Sequence, residues 1–140
     1  MGARHAAYRL AWLSEICRLT GCGKEAWQHA CQALDLARQQ KTRGEETLAL
    51  RQLGAVQAHA TPPEAAPAEA HYQQALALAG ELGMRPLVAH CYRGLGMLYA
   101  WVGQQEQTRA ALSTAIELYR TMDMTFWLPQ TEAALTQIEG

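Results

Sequence analysis

The chain has no surplus of positive charge: 12 Lys and Arg stand against 13 Asp and Glu, a formal net charge of −1. Neutralising phosphates needs a basic excess, so this balance argues against a nucleic-acid partner. No apolar run approaches the ~18 residues that span a bilayer. The opening Met-Gly-Ala-Arg-His also lacks the apolar core of a signal peptide. The expectation is a cytoplasmic protein with no membrane partner. Cysteine is sparse, and Cys17, Cys22, Cys31 and Cys91 show no spacing that would frame a set of disulfides. Proline is scarce too, and three of the five prolines fall together in residues 59–67. Only there is a helical pattern broken outright, so that stretch reads as a longer loop.

Chemistry-bearing motifs are missing as well. There is no glycine-rich phosphate loop, no nucleophile elbow and no paired acid motif. Gly21-Cys22-Gly23-Lys24 lacks both the leading glycine and the preceding strand of a phosphate loop, and it reads as a turn between helices. Glu45-Glu46 is explained by its place at a helix start. His90-Cys91 are adjacent, so on a helix they point about 100° apart and do not share a metal. His29 and Cys31 suffer likewise, and Cys17 and Cys22 have no second pair to complete a tetrahedral site. The cysteines are read as small hydrophobes. No enzyme activity, metal or cofactor is expected.

What is present is a globular composition, 49% hydrophobic and 18% charged, and a repeat. In Tyr92-x2-Leu95-Gly96-x2-Tyr99, at about 100° per residue, all four residues share one helix stripe. Gly103 then supplies a turn. Thr108-x3-Leu112-x2-Ala115, extended by Ile116 and Tyr119, forms the inner face of a returning helix. Upstream, Leu50-x2-Leu53-Gly54-x2-Gln57 and Ala68-x3-Tyr72-x2-Ala75 repeat the two halves. Leu10-x2-Leu13-Ser14-x2-Cys17 and Ala26-x3-Ala30-x2-Ala33 repeat them again. The small residues Ser14, Gly54 and Gly96 stand 40 and 42 residues apart, the extra two lying in the proline-rich stretch.

The spacing predicts helices at about 5–20, 24–40, 44–59, 65–82, 86–102, 105–121 and 125–138. Pro86 fits a first helical turn, and Thr125 is the expected cap of the last helix. That helix carries Trp127, Leu128, Thr131, Leu135 and Ile138 on one face. The chain is then a single domain, 1–140, with hairpin repeats at about 7–40, 47–82 and 89–122 and a closing helix at about 125–138.

These motifs resemble the tetratricopeptide repeat, W-x2-L-G-x2-Y followed by A-x3-F. Tyr92 stands where the family prefers Trp, Gln57 and Cys17 replace the tyrosine, and Ser14 replaces the glycine. A spacing of 40–42 residues exceeds the family's period of about 34. The longer variant is similar to the repeat arrays at the C-terminal ends of large bacterial signalling ATPases and ATP-dependent transcription activators. The resemblance implies an all-α, right-handed α-solenoid of three hairpins with a capping helix. It also implies a non-enzymatic protein-interaction module whose concave groove holds a peptide or partner protein.

Groove-facing residues lie about 140° round the helix from the packing stripe. They are Tyr8, Ala11, Glu15, Arg18 and Leu19 in the first repeat, and Leu48, Arg51, Ala55, Ala58 and His59 in the second. In the third they are His90, Arg93, Met97, Ala100 and Trp101. The candidate site is Arg18, Arg51, His59, His90, Arg93, Met97 and Trp101. Arginine forks bind carboxylates in pairs of hydrogen bonds, while Met97 and Trp101 offer an apolar anchor. The expected partner is therefore a protein or peptide with an acidic or C-terminal carboxylate group. A bland alternative stays open, in which the arginines pair with acids such as Glu15 or face water. A second functional reading also stands: a regulatory or structural segment of a larger signalling ATPase. Such a segment would pack on its own neighbours or self-associate through the uncovered first helix at Tyr8 and Trp12.

Overall fold

The computed structural model describes residues 6–139, which form helices and turns with no strand among them. The helices are α1 (Ala6–Leu19), α2 (Gly23–Gln40), α3 (Arg43–Ala58), α4 (Ala65–Leu82), α5 (Arg85–Trp101), α6 (Gln105–Thr121) and α7 (Trp127–Glu139). Each packs against the next in sequence, and α1 also touches α3, as α3 touches α5. The protein is all-α, with a repeat-like packing of adjacent helices.

The turns explain the spacing. Gly21, Lys41, Gly83, Gly103 and Asp123 all have a left-handed backbone, with φ between 58° and 84°. Behind each one, the next N–H closes a six-residue loop: Cys22 to Cys17 O, Thr42 to Ala37 O, Met84 to Ala79 O, Gln104 to Tyr99 O and Met124 to Tyr119 O, at 2.7–2.9 Å. This hydrogen bond satisfies carbonyls that a helix end leaves open. Positions 21 and 41, and again 83, 103 and 123, are 20 residues apart, so the chain is counted out in units of one helix and one turn. Only the α3–α4 connection departs, and it contains the cis Thr61–Pro62 bond. There the Gln57 carbonyl accepts from both Ala60 N–H and Glu64 N–H, at 3.3 and 3.0 Å, clasping the ends of the loop. The Gln57 side chain adds a 2.6 Å contact to His71 Nδ1. Its NH2 is the donor, because it also faces the Leu53 and Pro67 carbonyls.

Thr125 does not cap α7. Its own N–H turns back to Asp123 O, and the first bond into the helix runs from Leu128 N–H to Met124 O. The left-handed Asp123 delays the helix by a half-turn, leaving Pro129 within the first turn, where a missing N–H costs little.

Alanine fills much of the core: Ala26, Ala30, Ala33, Ala37, Ala68, Ala75, Ala79, Ala89 and Ala115 are all fully buried. Small residues let helices approach, and larger ones plug what remains. The Ser14 hydroxyl donates to Ala26 O at 2.7 Å. At the equivalent place in the next hairpin, a Cβ on Gly54 would stand 3.2 Å from Ala68 O and 3.1 Å from the Tyr72 ring. At Gly96 the space is taken by a side chain rather than by backbone, since a Cβ would meet Leu112 Cδ2 at 2.5 Å. Three successive core clusters result, the first reaching from α1 to α5, the second from α3 to α6 and the third from α5 to α7. Among the described residues no helix is long and apolar enough to cross a membrane.

Candidate partner-binding cavity

The first helices of the three hairpins share one cavity of about 720 Å³. Arg18 comes from α1, Arg51 and His59 from α3 and its end, and His90, Arg93, Met97 and Trp101 from α5. All seven residues expected from the repeat register line this single space. The helix phase that sends Leu95 and Gly96 into the core turns Arg93, Met97 and Trp101 the other way.

Its floor is cationic. The Glu15 carboxylate lies 2.7 Å from the Arg18 guanidinium but 3.9 Å from that of Arg51. These side chains are only 14% (Arg18) and 17% (Arg51) exposed, so solvent screens them poorly. Arg93 lies over the Trp127 ring, 4.8 Å from its centroid, and among the described residues no carboxylate pairs with it. The lining thus holds three guanidiniums against one carboxylate. Burial pulls the Glu15 carboxyl upward, yet Arg51, Arg18 and the Gln52 amide outweigh it and hold the group below its usual range. Burial, with Arg51 and Arg93, pushes His90 down to about 4. Burial also lowers His59, with Arg18 and Arg93 adding to the effect against a hydrogen bond to the Ala55 carbonyl. Both imidazoles are therefore neutral at pH 7 and leave the positive surplus to the arginines.

The rim is apolar. Trp12, Ile16 and Leu19 stand along α1, while Trp101 and Phe126 stand opposite, all between 44% and 69% exposed. Trp101 meets the His59 ring edge-on at 4.8 Å, and Trp127 meets His90 at 5.0 Å. A cationic floor beneath an aromatic rim suits a ligand with an anionic group on an apolar body.

Several expected groove residues lie elsewhere. Ala11 and Ala58 are buried in the core, Leu48 packs against it, and neither Tyr8 nor Ala100 is part of the lining. On α1 the true lining is Trp12, Glu15, Ile16, Arg18 and Leu19, because Ala11, the smaller neighbour, turns inward. The apolar i, i+4 pair Trp12 and Ile16 carried that signal. Also unforeseen were Tyr72 and Gly94, which touch across hairpins, and Phe126, just before α7, with Trp127 and Gln130 from its start. The closing helix is thus part of the cavity wall as well as a cover for the core.

Among the described residues no group of three or more His, Cys, Asp and Glu side chains is placed to hold a metal ion, and the four cysteines are free. Comparison with protein-family models finds no match to this chain, and comparison with curated proteins finds none.

Proposed function

We propose that the chain is a protein-interaction module, a tetratricopeptide-like α-solenoid of three hairpins and a closing helix, whose concave cavity receives an acidic segment of a partner protein. One observation carries this reading: Arg18, Arg51 and Arg93 share a poorly solvated cavity with a single carboxylate. Among the described residues, Arg18 and Arg51 share one carboxylate, Arg18 Nε is buried without a hydrogen-bond partner and Arg93 has no acid beside it, so a ligand carboxylate would supply the paired hydrogen bonds these groups lack. The exposed Trp101 and Phe126 supply the apolar contact that anchors such a segment. Catalysis plays no part in this reading.

Anisotropy titrations with short fluorescein-labelled peptides bearing Glu-Glu or a C-terminal Asp test it, with charge-matched basic peptides as controls. Arg51→Ala/Arg93→Ala, checked for unchanged helicity by circular dichroism, should lose roughly 10–100-fold in affinity for acidic peptides. Equal binding by wild type and variant would sink the proposal.

The exposed face of α1 favours a second reading, in which the chain is a regulatory or structural segment of a larger signalling ATPase that packs intramolecularly or self-associates. Tyr8, Trp12, Leu13, Ile16 and Leu19 are 44–69% exposed on that one helix, an apolar patch of the kind that marks an interface. Tyr8 and Leu13 stand outside the cavity lining. Sedimentation velocity of wild type beside Tyr8→Ser/Leu13→Ser distinguishes the two readings. A concentration-dependent dimer lost in the variant supports self-association, and a monomer in both removes it.

A further inference from the structure

A second cavity of about 620 Å³ opens beside the first, between the α1–α2 turn and the C-terminal end of α3. Arg18 and His59 line both cavities, so the partition between them is made of two side chains. The His59 ring leans on Trp101 of the large cavity. On the far side of the partition stand Lys24, Trp27 and Val56, with Glu64 at the edge. Trp27 is 37% exposed, its indole meeting His71 edge-on at 6.5 Å.

Positive charge predominates in both spaces. Arg18, Lys24, Arg51 and Arg93 face Glu15 and Glu64, a surplus of two positive charges in a chain whose net charge is −1. The balance is uneven between the ends. Three guanidiniums with one carboxylate among them crowd the large cavity, whereas Trp27 and Val56 give the small one an apolar wall.

We infer that the two cavities are subsites of one continuous track for a single extended segment of a partner protein. Its acidic residues sit over Arg51 and Arg93, and an apolar side chain, Leu or Phe, fills the space beside Trp27. This inference rests on the proposed reading of the large cavity. The shared partition and the shared charge favour one segment over two separate ligands. A bound chain would pass over Arg18 and His59, both of which present polar groups to its backbone.

Gly23 makes the inference testable without disturbing the fold. It lines the small cavity at the start of α2, its φ is not in the left-handed region, and a Cβ built on it meets nothing within 4 Å. Gly23→Leu therefore fills the space from a tolerant backbone position. The probes are short labelled peptides in which a Glu-Glu pair and a Leu or Phe are separated by increasing numbers of residues, in both orders, beside the Glu-Glu peptide alone. With wild type, affinity should rise about tenfold once the spacer lets the apolar residue reach Trp27. That gain should vanish in Gly23→Leu and in Trp27→Ala, while both variants bind the Glu-Glu peptide like wild type. No gain at any spacing, or a gain that persists in both variants, overturns the single track. A gain insensitive to Arg51→Ala/Arg93→Ala would mean that the cavities act separately, which also overturns it. Loss of all acidic-peptide binding sensitivity to the arginines would instead remove the proposed function itself.

Discussion

The Tyr119 hydroxyl and His90 Nδ1 stand 2.7 Å apart, a bond that ties the first half of α5 to the last turn of α6. Trp127 lies against the same imidazole, Arg51 and Arg93 bear on it electrostatically, and Glu15 is the one acidic group that opposes them. The ring is therefore held neutral by its surroundings.

Stability should fall as pH drops from about 6.5 to about 4. The sign follows from His90, whose folded-state pKa is depressed to about 4 while an unfolded imidazole titrates near 6.5. Between these values the unfolded chain binds the extra proton, so stability is full above the window and is lost going down through it. His59 is lowered too and adds with the same sign. After discounting for solvent screening, the loss is about 1–2 kcal/mol. Urea unfolding at a series of pH values should show it, with the slope reduced in His90→Asn. Tyr119→Phe should cost about 1–2 kcal/mol at pH 7, because it strands the buried imidazole nitrogen.

Glu15→Gln should separate stability from binding. Removing the only carboxylate in the lining leaves Arg18 and Arg51 with no acidic partner, lowering stability by roughly 1–2 kcal/mol at this partly buried site. The same change deepens the positive field and should tighten acidic-peptide binding about tenfold. Denaturation midpoints and peptide anisotropy on one preparation check both signs. A variant that is weaker in both would place Glu15 in support of the ligand rather than in competition with it.

Two helical glycines should respond in opposite directions to alanine. At Gly96 a Cβ would stand 2.5 Å from Leu112 Cδ2, and Leu112 is fully buried with no room to retreat. Gly96→Ala is expected to lose about 1–3 kcal/mol through overpacking. At Gly80, on the exposed side of α4, a Cβ meets nothing within 4 Å. Gly80→Ala should gain about 0.5–1 kcal/mol from reduced backbone freedom in the unfolded chain. Thermal melts of the pair provide the comparison.

Lys41→Gly should stabilise by about 0.5–1 kcal/mol. Lys41 has φ of 58°, a left-handed conformation that costs a side-chain-bearing residue roughly 1–2 kcal/mol, part of which glycine's unfolded-state freedom offsets. A higher denaturation midpoint with an unchanged denaturant slope is the expected readout, and a lower midpoint would show that the Lys41 side chain contributes more than its strain costs.

The sequence was most informative where large and small residues alternate on a helix. Tyr92, Leu95, Gly96 and Tyr99 set the phase of α5, and with it the direction of His90, Arg93, Met97 and Trp101. On α1 the pattern is shallow: an alanine-lined inner face and an apolar outer face differ little in hydrophobicity, so the repeat register puts Ala11 in the cavity and leaves Trp12 and Ile16 out. The turns at Gly21, Gly83 and Gly103 announce themselves by residue type. Those at Lys41 and Asp123 have the same backbone without the glycine, and the twenty-residue count emerges only once their φ values are seen. Phe126 and Trp127 carry no such mark, because a wall contributed from far along the chain has no local signature.

The even count of helix and turn has a consequence for how the molecule tolerates change in length. Five of its corners are closed by the same hydrogen bond, and residues added or removed there would shift the rotational phase of everything downstream. The corner at residues 59–64 is different, held shut from one side by a single carbonyl on Gln57 while its own residues follow no fixed count. It is the seam of the described residues, the joint inside the second hairpin where the polypeptide can be lengthened, nicked or rejoined while the helices on either side keep their aim.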